Sequence, residues 1–138
     1  MRDRQAELLR AAFAPDPDGP VWRVVAGHHP ILSAGAHKAR KKHVKWLKKL
    51  FWELGVDLYM GGHNHNLQAL REGDGPLYVI SGAGGKSVYG FDPDTPDLLF
   101  AAKTLGFMRG RVDRKRLEAA FFNADGAPMF DMILEAQR

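Results

Sequence analysis

Apolar residues fall at helical spacing near the start of the chain. Leu8, Leu9, Ala12 and Phe13 share one side of the segment Arg4 to Ala14, which predicts a short helix. Pro15-Asp-Pro-Asp-Gly-Pro20 ends it, because proline has no N–H to donate and disfavours a helical residue before it. Val21 to Ala26 is an apolar run that predicts a buried strand, stopped by Gly27-His-His-Pro30. The helical period returns from Ala39 to Leu54. Val44, Leu47, Phe51 and Leu54 form one stripe, Lys41, Lys45, Lys48 and Lys49 line the other side, and Gly55 stops the helix.

A second apolar strand, Val56 to Met60, ends at Gly61-Gly-His-Asn-His-Asn66. Leu67 to Arg71 and Leu77 to Ser81 predict a pair of strands flanking the turn Glu72-Gly-Asp-Gly-Pro76. Gly82 to Asp97, rich in Gly, Pro and Asp, predicts a long loop. Four strand-like runs follow: Leu98 to Thr104, Phe107 to Asp113, Leu117 to Asn123 and Met129 to Glu135. Strand, helix, strand and then a meander define a mixed α/β fold.

Composition narrows the class of protein. A length of 138 residues fits one domain, 1–138, with room for a real core, and 45% hydrophobic content sets it apart from disordered chains. The absence of cysteine removes disulfides and thiolate metal sites, so a transition metal must sit on His, Asp, Glu, Asn or Tyr. No apolar run approaches the ~18 residues of a spanning helix, and Met1 to Glu7 is too polar for a secretory signal. The expectation is a soluble, cytoplasmic chain with no membrane partner. Much of the net charge of +4 lies between Lys38 and Lys49. A lysine-rich helix face reads as solvated surface, so nucleic acid is not an expected partner. Trp46, Phe51 and Trp52 are assigned to core or interface, and His43 to no chemistry.

Four of the six histidines, His28, His29, His63 and His65, sit where apolar strands end, which is where ligand sites collect in open α/β sheets. His63 and His65 are two apart, so in an extended segment both rings project to one side. Neutral imidazoles suit Zn, Fe, Cu or Ni, and three of them leave an open position for water in catalytic zinc sites. Asp92, Asp94 and Asp97, separated by prolines, read as a solvated loop, and Gly82-Ala-Gly-Gly85 as a turn near the site.

Val25-Ala-Gly-His-His-Pro30 resembles the Gly-His-x-Pro motif of purple acid phosphatases and their calcineurin-like relatives. Gly62-His-Asn-His-Asn-Leu-Gln68 resembles their Gly-His-Asp-His-Asn-Leu-Gln motif almost residue for residue, and Ile80-Ser-Gly-Ala-Gly84 the strand and turn that follow. The ordered set resembles the C-terminal half of such a metallophosphoesterase. That resemblance implies that His28 and His63 bind one metal ion, that His65 binds its neighbour, and that His37 acts on the phosphoryl group or the leaving oxygen. It leaves His29 as a neighbour of the site. It implies one or two divalent or trivalent transition metal ions, from among Zn, Fe, Mn, Co and Ni, and a small-molecule phosphoester substrate.

The family's first-half motifs, Asp-x-His, Gly-Asp-x-x-Tyr and Gly-Asn-His-Asp/Glu, do not occur in the sequence. The expectation is therefore half of the metallophosphoesterase β-sandwich, a mixed sheet with flanking helices. Half a sandwich exposes an apolar face or edge, so self-association as a homodimer is expected. The leading functional expectation is a metal-dependent phosphoester hydrolase, a phosphodiesterase or phosphomonoesterase of reduced architecture. The alternative is a non-catalytic metal-binding element, or a subunit needing a separate N-terminal half.

Overall fold

The computed structural model describes residues 2–15, 18–19, 22–85 and 87–136. Its elements follow in the order α1 (Arg2–Ala12), β1 (Val24–Ala26), α2 (Lys41–Glu53), β2 (Leu58–Gly61), β3 (Leu67–Arg71), β4 (Leu77–Ser81), β5 (Leu98–Ala102), β6 (Gly106–Val112), β7 (Arg116–Asn123) and β8 (Pro128–Glu135). Five strands form a mixed sheet in the order β1-β2-β4-β3-β5, and β6-β7-β8 form an antiparallel meander. Within the mixed sheet β1, β2 and β4 run parallel, while β3 is antiparallel to both β4 and β5.

The alternation of side chains across a strand assigns each face of this sheet a partner. Leu58, Leu67, Ala69, Leu77 and Val79 pack against Leu117, Ala119, Phe121 and Leu134 of the meander, so the two sheets share one core. On the opposite face, Tyr59, Leu70 and Tyr78 meet Phe51 of α2, with Val44 and Leu47 of α2, its C-cap Leu54, and Leu9 and Phe13 around them. The stripe predicted for the second helix is its buried face. Lys41, Lys45 and Lys49 lie exposed on the other side, and Lys48 pairs with Glu72. The layers are helices, mixed sheet and meander, the α/β arrangement expected.

Two expectations need correction. The predicted buried strand over Val21 to Ala26 is only three residues long, and Val24 and Ala26 are exposed. Val21 itself lies outside the described residues. β1 is the edge of the sheet, bonded on one side only to β2, so its apolar sequence does not make it a central strand. Of the residues assigned to core or interface, Trp52 is not in the core, with 68% of its surface exposed, whereas the neighbouring Phe51 is 1% exposed. One residue step along a helix turns a side chain by about 100°, enough to carry it from the buried stripe into solvent.

The remaining shifts are at element ends. The helix over Arg4 to Ala14 runs from Arg2 to Ala12, and the one over Ala39 to Leu54 from Lys41 to Glu53, where Gly55 turns the chain at a φ of 58°. β3 and β4 have the predicted bounds. From Gly82 to Asp97 the chain forms no strand among the described residues; it carries an isolated bridge between Gly35 and Phe91 and is held further by Tyr89 N donating to His65 O and Asp92 N to Ala34 O.

Candidate metal centre

The parallel strands β1, β2 and β4 end side by side, because Ala26 pairs with Met60 and Gly61 with Ile80. The segments that leave them, Gly27 to Pro30, Gly62 to Asn66 and Gly82 onward, therefore meet at one edge of the sheet. The β1 and β2 exits are bonded directly. Gly27 N donates to Met60 O at 2.9 Å, and Gly62 N donates to His28 O at 3.0 Å. The Tyr59 hydroxyl donates to His29 O at 2.7 Å, and burial raises the pKa of that phenol, which favours the protonated donor it needs to be.

His63 is the hub of the site. Its backbone is in the left-handed region at a φ of 64°, uncommon for a residue with a Cβ. Its ring has three imidazole neighbours, with centroids of His28, His29 and His37 at 5.0, 4.6 and 5.1 Å. His28 Nε2 stands 3.1 Å from His63 Nδ1. One nitrogen each from His28, His29 and His63 all lie within 4.8 Å of one another. The predicted ligands His28 and His63 thus meet, and His29, which the resemblance left as a neighbour, joins them.

The predicted ligand His65 and the predicted catalytic His37 are outside this group of three. His65 Nδ1 is 3.0 Å from Ser87 O, and a carbonyl only accepts, so Nδ1 carries the proton and Nε2 keeps its lone pair. This is the tautomer of a metal-ligating imidazole held by a carbonyl. The ring stacks on Tyr89 at 4.4 Å and 15°, and Tyr89 also meets the edge of His37 at 5.6 Å. His63 and His65 face outward while Asn64 and Asn66 between and after them are wholly buried.

Those amides form the floor of the site. Asn64 Oδ1 accepts from His37 N at 3.1 Å, and Asn64 Nδ2 donates to His37 O at 2.9 Å and to Ser33 Oγ at 2.8 Å. Gln68 Oε1 accepts from Ala34 N at 2.8 Å, and Gln68 Nε2 donates to Asn66 Oδ1 at 2.6 Å. The network ties the segment before α2 to the β2–β3 connection, with every buried amide satisfied. Sequence reasoning assigned no role to Asn64, Asn66, Gln68 or Tyr89. The signal for the amides was present as period two, since residues 64, 66 and 68 share one face.

The donor set suits a metal ion. Two nitrogens bound tetrahedrally to one zinc-like ion stand about 3.3 Å apart, close to the His28–His63 separation. Desolvation, reinforced by the rings of His29, His28, His37 and His65, lowers the His63 pKa and favours the neutral, ligating form. Among the described residues the clustered donors are all imidazoles; Asp92, Asp94 and Asp97 are not in the group.

The architecture of a helix-flanked mixed sheet packed on an antiparallel meander, with histidines at the strand ends, is that of the metallophosphoesterases. The GAP50 anchor of the Plasmodium inner membrane complex superposes with a TM-score of 0.80 at 20% identity, over 99% of this chain and 42% of that one. Purple acid phosphatase PPD1 from yellow lupin superposes with a TM-score of 0.79 at 19% identity, over 97% of this chain and 28% of that one. In sequence the chain is 36% identical over 121 residues to Purple acid phosphatase 17 of Arabidopsis thaliana, a match covering 84% of this chain and 36% of that protein. No family model matches the sequence. The chain is purple acid phosphatase-like, and it spans about a third of the length of the curated relatives. No helix among the described residues is long and apolar enough to cross a membrane.

Proposed function

We propose that the chain is a metal-dependent phosphoester hydrolase acting on small-molecule phosphomonoesters or phosphodiesters. The observation that carries this reading is the His28–His63 contact of 3.1 Å, with His29 in the same group, at the ends of parallel strands. His28, His63 and His29 would hold one ion and His65 would offer Nε2 to a second, from among Zn, Fe, Mn, Co and Ni. A bound ion supplies Lewis acidity, polarising the phosphoryl oxygen and lowering the pKa of water. His37, fixed through its backbone by Asn64, stands 5.1 Å from the His63 ring and is the residue proposed to meet the phosphoryl group or protonate the leaving oxygen. Tyr89 restrains the His65 ring by stacking.

The cytoplasm and a homodimer complete this reading, with no nucleic-acid partner. Exposed Phe107, Val112 and Ile133 on the meander support self-association. A monomeric mass by light scattering contradicts that part.

One observation favours a second reading, a non-catalytic metal-binding element or a subunit awaiting an N-terminal half. The donors gathered among the described residues are imidazoles with no carboxylate, so nothing there offsets the ion's charge. Hydrolysis of a chromogenic phosphodiester decides between the two. Protein stripped of metal and reloaded with Mn, Zn, Fe, Co or Ni is expected to turn over, and His63→Ala to lose that activity. A folded protein inert with every metal supports the second reading.

A further inference from the structure

We infer that the cavity behind the histidine cluster receives the organic group of the phosphoester, so that the site takes esters of apolar, ring-sized alcohols. The inference rests on the hydrolase reading. The cavity has a volume of about 360 Å³ and lies between α1, the end of β1 and α2. Its walls include Leu8, Leu9, Val25 and Leu47, and His28 and His29 are part of the same lining. Two of the three residues of the histidine group therefore also belong to the cavity lining. A phosphoryl group held at the cluster has an apolar recess next to it.

Size and chemistry set the occupant. A cavity of roughly 150 Å³ accepts a benzene ring, so this one has room for two fused rings. Apolar walls with a few polar groups describe a small-molecule site. The polar members here are Gln5, His43 and the Tyr59 hydroxyl, the last already donating to His29 O. Leu8, on the wall, is 63% exposed, apolar surface that a bound ring would cover. A second hollow of about 450 Å³ beside α2 is lined by Ile31, Leu32 and Val44 together with Lys38, Lys41, Lys45 and Lys48; it too has apolar walls, but it shares no histidine with the cluster. The recess at His28 and His29 is the one that both adjoins the metal centre and suits an apolar group.

The test compares naphthalene-1-phosphonate with methylphosphonate on zinc-loaded protein, by calorimetry and by methyl NMR. The naphthyl ligand is expected to bind at least about tenfold more tightly, a factor that burial of two methylenes' worth of surface supplies. It should shift the methyl signals of Leu8, Leu9, Val25 and Leu47. Leu8→Asp, at an exposed position, should reduce the preference to less than about threefold without changing methylphosphonate binding. Equal affinities with unshifted methyls, while the His28 and His63 signals respond, overturn the cavity assignment and leave the phosphoryl site standing. If neither phosphonate binds the protein loaded with Zn, Mn, Fe, Co or Ni in turn, the hydrolase reading fails, and 1-naphthol alone tests the recess; unshifted methyls then overturn it too. Methyl shifts with no turnover in the phosphodiester assay support the recess and count against catalysis alone.

Discussion

Replacing Asn64 by alanine removes the central clamp of the site floor. Three hydrogen bonds are lost, from His37 N at 3.1 Å, to His37 O at 2.9 Å and to Ser33 Oγ at 2.8 Å. At about 1 kcal/mol each, their loss comes to about 3 kcal/mol. A domain of this size has a total stability on the order of 5–15 kcal/mol, so the variant folds but melts roughly 10 °C lower. Urea unfolding with an unchanged m-value measures the first quantity, since only stability and not exposed surface should change. Hydrogen exchange of the His37 amide measures the local effect. Asn64 Oδ1 is the acceptor for that N–H, and exchange should accelerate beyond what the global loss of stability explains. An unchanged unfolding midpoint together with unchanged His37 exchange would refute the claim that Asn64 holds this segment against the hub.

Other outcomes follow from the same geometry. Gly82→Ala places a Cβ against the carbonyl of Asn64, a backbone group that cannot swing aside, so it should cost about 1–3 kcal/mol, whereas Gly110→Ala, facing open space, should not show that overpacking loss in the same melt. Asp113 Oδ1 accepts from the amides of Lys115 and Arg116 at 2.7 and 2.8 Å, which holds its carboxyl below the usual range. Because its folded pKa lies below the unfolded one, the stabilisation is present above the unfolded value and lost as pH falls through the folded value. The difference in melting temperature between wild type and Asp113→Asn should accordingly shrink below about pH 4, and a constant difference from pH 6 to pH 2 would contradict it.

Local chemistry was legible in the sequence wherever a short stretch decides its own conformation. The short, mostly apolar runs Leu67 to Arg71 and Leu77 to Ser81, with a glycine-rich turn between them, marked the two strands with their observed bounds. The 3.6-residue stripe Val44, Leu47, Phe51 and Leu54 marked the buried face of α2. The two Gly-His segments after apolar strands marked the candidate site, since ligand sites in open α/β sheets collect beyond the carboxyl ends of the strands.

Tertiary structure alone decided which histidines meet. His28 and His63 are 35 residues apart, and their contact depends on β1 and β2 being parallel neighbours in a register that pairs Ala26 with Met60. No periodicity in either segment encodes that register, which depends on the ladder between the two strands and on Val25 and Tyr59 sharing one core with Phe51 of α2. The same pairing brought His29 into the donor group, while the left-handed turn at His63 and the Ser87 carbonyl separated His65 from it. The exposure of β1 was equally a matter of sheet order. An apolar strand looks the same in sequence at the edge as at the centre, because hydrophobicity records a strand's affinity for neighbours and not their number.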